Sequence, residues 1–239
     1  LSGKSSMYGM NIGSLLEELR DVAVETNKVF AQHLGIAQST AITCVKPSGT
    51  VSQLVDSASG IHARHNPYYV RTVRGDNKDP LTQFLMSQGI PAEPDVMKPD
   101  STTVFSFPMK APPSAVTRTE MTAIEQLELW LLYQRHWSEH KPSVTISVKE
   151  HEWMDVGAWV YNNFDEVSGI SFLPFSEHTY QQAPYQDIDL EQYEELNMSM
   201  PDNIDWSLLQ EFEKEDNTSG GRELACSAGV CEVVDLTAA

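Results

Sequence analysis

Cys226 and Cys231 stand five positions apart near the end of the chain, with Gly229 between them. Thiols at this spacing can close a small disulfide ring, and the glycine eases the turn. Reduced, they can pass two electrons to another disulfide by thiol exchange, a step that needs an accessible thiolate. The preceding stretch, Asp216-Asn-Thr-Ser-Gly-Gly221, is poor in apolar residues. It predicts a flexible tail from about Asp216 onward, able to carry the pair to a site and back. Glu223 and Glu232 disfavour the thiolate by like charge, which argues against a fast standalone oxidant. The plainer alternative is two unrelated cysteines in a polar end. Cys44, the third cysteine, lies in an apolar run and reads as a buried, inert thiol.

A second constellation is Pro47, Ser48, Gly49, Thr50, Val51 and Ser52, directly after an apolar run. A strand end, a glycine and several hydroxyls suit phosphate binding, because exposed backbone N–H groups can point at the anion. The Walker spacing is absent, and an ordinary strand-to-helix turn remains the alternative. The third is His62, Arg64 and His65 with Tyr68, Tyr69, Arg71 and Arg74. It could hold an anionic or planar ligand by charge and stacking, or it could be surface residues paired with carboxylates. Metal binding by His62 and His65 would need a helix that Pro67 opposes, and without CxxC pairs no metal site is assigned.

These residues need elements to position them. Asn11 can cap a helix carrying Ile12, Leu15, Leu16, Leu19, Val22 and Ala23 at helical spacing, with Val29 and Phe30 extending the stripe. After Gly35, the β-branched run Ser39 to Val45 predicts a buried strand that delivers the Pro47–Ser52 loop. Further strands are expected at Thr102 to Phe107, Ser143 to Val148 and Gly169 to Pro174. A helix is expected at Pro80 to Ser87, and a proline-punctuated loop at Pro91 to Pro99. Thr117 with Glu120, and Ser147 with Glu150, have capping-box spacing and should open helices through Trp130 and Trp153. Strands alternating with helices predict an α/β fold with mainly parallel pairing.

The 239 residues are enough for one large domain or two small ones, and 41% hydrophobic content supports a real core. The net charge of −18 opposes nucleic-acid and anionic-lipid binding. It is uneven: from Asp187 to Asp235 there are fourteen acids against Lys214 and Arg222. No apolar run approaches a membrane span. Three cysteines fit a reducing compartment, so the expected location is the cytoplasm. The start at Leu1, with no initiator Met or signal peptide, reads as a fragment of a longer chain.

Four motifs occur in order: Thr43-Cys-Val-Lys-Pro-Ser-Gly-Thr-Val-Ser52; Ser59-Gly-Ile-His-Ala-Arg-His-Asn-Pro-Tyr-Tyr-Val-Arg71; Gly169-Ile-Ser-Phe-Leu-Pro174 with Tyr180-Gln-Gln-Ala-Pro-Tyr185; and Cys226-x-x-x-x-Cys231. Together they resemble the C-terminal third of the monomeric, class II, adenosylcobalamin-dependent ribonucleoside-triphosphate reductases. The resemblance implies the C-terminal part of a ten-stranded α/β barrel over residues 1–215 and a flexible redox tail over 216–239. It implies that Pro47, Ser48, Gly49, Thr50, Val51 and Ser52 cradle substrate phosphates. It implies adenosylcobalamin contacts between Gly60 and Thr119 and between Tyr180 and Thr218, with His62, Arg64, His65, Tyr68, Tyr69, Tyr180, Gln182, Pro184 and Tyr185 as candidates. It implies that Cys226 and Cys231 reduce an active-site disulfide and are restored by thioredoxin. The radical-forming cysteine, its partner cysteines and the effector site of that family belong upstream, so the chain alone is expected to be inactive. A nucleotide-phosphate-binding α/β module without a redox role is the alternative.

Overall fold

In the computed structural model of the chain, residues 6–7, 10–49, 51–175 and 180–214 are described. Along the chain the elements are β1 (Ser6–Met7), β2 (Met10–Asn11), α1 (Ile12–Leu34), α2 (Val51–Leu54), β3 (Tyr68–Asp76), α3 (Pro80–Ser87), β4 (Ala92–Pro94), β5 (Thr102–Lys110), α4 (Ala123–His136), β6 (Thr145–Val148), α5 (Trp153–Asn162), β7 (Ser171–Pro174), β8 (Tyr185–Asp187), α6 (Leu190–Met198) and α7 (Leu209–Phe212). They form two compact units. One draws on Leu1–Arg64 and Pro112–Glu177, the other on His65–Ala111 and His178–Ala239.

The first unit is built around a βαβ step. β6 and β7 pair in parallel, with Thr145 opposite Ser171 and Val148 opposite Pro174, and α5 lies in the connection. Leu127 and Trp130 of α4, Ile146 and Val148 of β6, and Val156 of α5 are nearly or fully buried together. Trp130 satisfies its indole N–H on the Pro142 carbonyl at 3.1 Å, so a polar group enters this core without penalty. The Asn11 side chain accepts the Gly13 N–H at the start of α1, and Gly35 ends that helix with φ of 66°.

The helix starts after β5 and β6 differ from the sequence expectation. Thr122 and Glu125, not Thr117 and Glu120, form the box that opens α4. Thr117 and Glu120 still pair, as Thr117 N–H and Oγ1–H both donate to Glu120, but they close a turn ahead of the helix. Likewise the Lys149 N–H donates to Glu152, displacing the expected Ser147 and Glu150 pair. Glu152 is buried, and its other oxygen takes the Ala123 N–H at 3.0 Å, tying the starts of α4 and α5 together.

Ser39 to Val45 does not form a strand. One carboxylate replaces the missing ladder: Glu139 Oε2 accepts the N–H groups of Ile42 and Thr43 at 2.6 and 2.7 Å. The Thr43 and Val45 carbonyls accept from Glu139 and Ser143. These backbone groups are satisfied without a neighbouring strand, and the segment forms no ladder.

The second unit is an antiparallel sheet in the order β4-β5-β3-β8, which corrects the expectation of mainly parallel pairing. β3 and β4 do run in the same direction around α3, as alternation predicts. β5 then returns from β4 and inserts between them, so every ladder becomes antiparallel. Phe84 of α3 is fully buried and meets the rings of Trp206 and Phe212, which fastens the segment leading to Lys214. The described residues contain no closed barrel. No helix among them is long and apolar enough to cross a membrane.

Candidate functional site

The Pro47–Ser52 loop leaves the Thr43–Val45 segment and enters α2. Its shape is set by hydroxyls. Ser48 Oγ accepts the Ser52 N–H, the Ser52 hydroxyl donates back to the Ser48 carbonyl, and both distances are 2.9 Å. Ser52 is buried and braces the loop from within. Pro47, Gly49 and Val51 are exposed. Beside the loop is a hollow of about 320 Å³, lined by Cys44, Lys46, Ser48, Val51, Ser57 and Tyr133 among others. Thr50 lies outside the described residues. A Cβ built on Gly49 meets no heavy atom within 4 Å, so the chain itself does not demand glycine there. Cys44 is half-buried on the wall of this hollow, less enclosed than the sequence predicted, and its carbonyl accepts the Trp137 indole N–H.

A larger hollow in the same unit, about 890 Å³, lies elsewhere, over Ile12, Met121, Ile124 and Leu132. Size alone does not make it the site. The carboxylates on its rim are engaged within the protein: Glu120 and Glu125 take N–H and hydroxyl donors from Thr117 and Thr122, which hold both below the usual carboxylate pKa, and Glu128 accepts the Trp159 indole N–H.

The basic and aromatic cluster is divided between the two units. In the first, His62 donates through Nδ1 to the Ser59 carbonyl at 2.7 Å and accepts the Thr145 N–H through Nε2 at 3.0 Å. Arg64 is buried, with its guanidinium on Asp56 at 2.5 Å. Asp56 is held at φ of 48°, and the Arg64 backbone bonds to Val116 and Arg118. Both side chains therefore fasten the segment that follows the loop.

In the second unit, His65 stacks on Tyr185 with ring centroids 5.1 Å apart and pairs with Asp187 at 2.7 Å. Tyr69 is buried and meets His65 edge-on. Arg71 lies over the Tyr185 ring at 4.5 Å. Tyr68 contacts Tyr193 and Lys110. Tyr180 is 69% exposed and presents an open ring. Gln182 is buried at a positive φ of 58°. Its amide is engaged on the β4 side: Oε1 accepts the Val96 N–H, and Nε2 donates to Glu93 and the Pro94 carbonyl. The Pro184 carbonyl accepts the Thr72 N–H. Cys226 and Cys231 lie outside the described residues.

The bracing roles of three residues escaped the sequence reading. Ser59 accepts the Ser48 N–H at 2.9 Å, and no local pattern marks a serine eleven residues away as a partner of the loop. Asp56 carries the Arg64 pairing. Asp95, buried, takes Arg74 Nε at 2.7 Å and the N–H groups of Met97 and Lys98 at 2.9 Å each. Burial pushes the Asp95 carboxyl up, but the Arg74 hydrogen bond, the two backbone donors and the Arg74 charge outweigh it and leave the pKa below its usual value.

No protein-family profile matches the chain. It is 34% identical over 194 residues to an adenosylcobalamin-dependent ribonucleoside-triphosphate reductase of Euglena gracilis, covering 80% of this chain and 27% of that protein. It is 27% identical over 240 residues to the reductase of the same description from Lactobacillus delbrueckii subsp. bulgaricus, covering 96% of this chain and 32% of that protein. The crystal structure of a B12-dependent, class II ribonucleotide reductase superposes with a TM-score of 0.72 at 27% identity, covering 84% of this chain and 28% of the other. The chain thus spans under a third of the length of these relatives. Over most of its residues it is homologous to adenosylcobalamin-dependent ribonucleoside-triphosphate reductases, and its mixed α/β fold corresponds to a portion of a class II ribonucleotide reductase.

Proposed function

We propose that this chain supplies the phosphate loop, part of the cofactor-facing surface and the electron-relay dithiol of a reductase that converts ribonucleoside triphosphates to 2′-deoxyribonucleoside triphosphates for DNA synthesis. The observation that carries the reading is the loop at Pro47–Ser52, whose Pro47, Gly49 and Val51 are exposed beside a hollow with Gly49 open to approach, in a chain homologous to such reductases. The Gly49 and Val51 N–H groups and the Ser48 hydroxyl donate to phosphate oxygens, and Lys46 adds positive charge at the mouth. The β6–α5–β7 step fits the later strands of a ten-stranded barrel.

Adenosylcobalamin, when bound, would supply the radical chemistry. Of the nine candidate contacts, the exposed Tyr180 ring suits packing against a flat macrocycle, whereas the Tyr185 ring is already covered by His65 and Arg71. Gln182 holds the backbone near Tyr180, and His62 and Arg64 fasten the segment after the phosphate loop, because their polar atoms are engaged within the protein. The relay balances as two-electron exchange. One thiolate of the Cys226–Cys231 pair attacks the upstream disulfide, the other resolves the mixed disulfide, and the oxidised pair is then reduced by thioredoxin.

The test is nucleotide reduction by the longer reductase carrying this sequence, with and without adenosylcobalamin. Activity without the cofactor removes the class II reading. In Cys226→Ser or Cys231→Ser, thioredoxin-driven turnover should collapse while a small dithiol still supports activity. Equal loss with both reductants removes the relay.

A further inference from the structure

The hydrogen bonds behind the Pro47–Ser52 loop converge on Ser59. Its hydroxyl accepts the Ser48 N–H at 2.9 Å. Its carbonyl accepts His62 Nδ1–H at 2.7 Å and the His62 N–H at 3.1 Å. His62 Nε2 then accepts the Thr145 N–H at the start of β6. A backbone N–H can only donate, so Nε2 is bare and the ring proton sits on Nδ1. The imidazole thus links Ser59 to the parallel strand pair.

Within the loop, two N–H groups point inward: Ser48 to Ser59, and Ser52 to Ser48 Oγ. The Gly49 and Val51 N–H groups have no protein acceptor among the described residues, and both residues are exposed. We propose that Ser59, anchored by His62, is a positioning residue for phosphate recognition: by drawing the Ser48 N–H inward it decides which backbone donors the loop turns toward a triphosphate. This rests on the phosphate-loop reading above. Without the Ser59 acceptor, the Ser48 N–H seeks another partner and the peptide planes on either side can rotate.

The experiment measures steady-state kinetics of the reductase carrying this sequence, with inorganic triphosphate as a competitive inhibitor. Ser59→Ala should raise both the substrate KM and the inhibition constant by about five- to tenfold, the scale of one lost hydrogen bond. The loss should fall on KM rather than kcat, and Ser59→Thr, which keeps the hydroxyl, should restore both constants. Should Ser59→Ala not fold, Ser59→Cys keeps the volume, weakens the acceptor and carries the same expectation. If inorganic triphosphate competes in the parent enzyme but the variant's constants are unchanged, the role of Ser59 is overturned and the loop reading stands. A loss confined to kcat or thermal stability also overturns it. No competition in the parent enzyme overturns the loop reading itself, and the Ser59 role with it.

Discussion

Alanine at Gly49 and alanine at Gly60 should move stability in opposite directions, although the two glycines flank one short segment. At Gly49 the added Cβ meets no heavy atom within 4 Å and φ is not in the left-handed region. The substitution therefore acts mainly on the unfolded chain, where it removes conformational freedom, and should leave the protein unchanged or more stable by up to about 1 kcal/mol. At Gly60 φ is +56°, and the Cβ would lie 3.3 Å from Val45 Cγ1 and 3.4 Å from the Lys46 carbonyl oxygen. A left-handed alanine alone costs about 1–2 kcal/mol, before either neighbour moves. For a protein of this size, 1 kcal/mol corresponds to about 2–4 °C in Tm. Gly60→Ala should thus melt several degrees lower, and Gly49→Ala at or above the parent, by calorimetry or circular dichroism. Gly49→Val adds a branched side chain where phosphate oxygens would approach the backbone. In the longer reductase it should raise the substrate KM about tenfold, equivalent to about 1.4 kcal/mol. Two results refute the reasoning: an unchanged KM in Gly49→Val, or a Gly49→Ala variant as destabilised as Gly60→Ala. The second would mean that the glycine serves the fold rather than a ligand.

Asp95 gives a pH dependence. Its folded pKa lies below the unfolded value, so its contribution is complete above about pH 4 and is lost as pH falls through the folded pKa. Acid unfolding followed by fluorescence should begin at higher pH in Asp95→Asn, which lacks the charge that pairs with Arg74; coincident acid transitions would count against this. Glu152→Ala leaves the buried Ala123 N–H without its acceptor and should cost about 1–3 kcal/mol in denaturant titration. Glu139→Ala should speed amide hydrogen exchange at Ile42 and Thr43, whose N–H groups end on that carboxylate, and equal protection in the two proteins would show that the segment is held by other means.

Much of the scaffold was legible because it is local. The Asn11 cap and the Ile12-to-Phe30 stripe predict α1, and the Gly35 C-cap ends it where the pattern stops. The expected helix at Pro80 to Ser87 is α3, and β-branched runs mark β5 and β6. Capping boxes were harder to place. Thr117 with Glu120 and Thr122 with Glu125 carry the same spacing, and the buried Glu152, which takes the Ala123 N–H, supports the second as the helix start.

By itself, the sequence determined the motif order, the loop at Pro47–Ser52, the periodic elements and the paired cysteines, because each depends on neighbours within a few residues. Tertiary structure decided the rest. The insertion of β5 between β3 and β4 made the second sheet antiparallel, since strand pairing depends on which distant edge is free to bond. Glu139 took the N–H groups that Ile42 and Thr43 would offer to a strand. The basic and aromatic cluster was divided, with His62 and Arg64 turned to bracing and His65 and Tyr185 stacked. Ser59 became the loop's support because a hydroxyl and an N–H eleven residues apart meet only once the chain has folded.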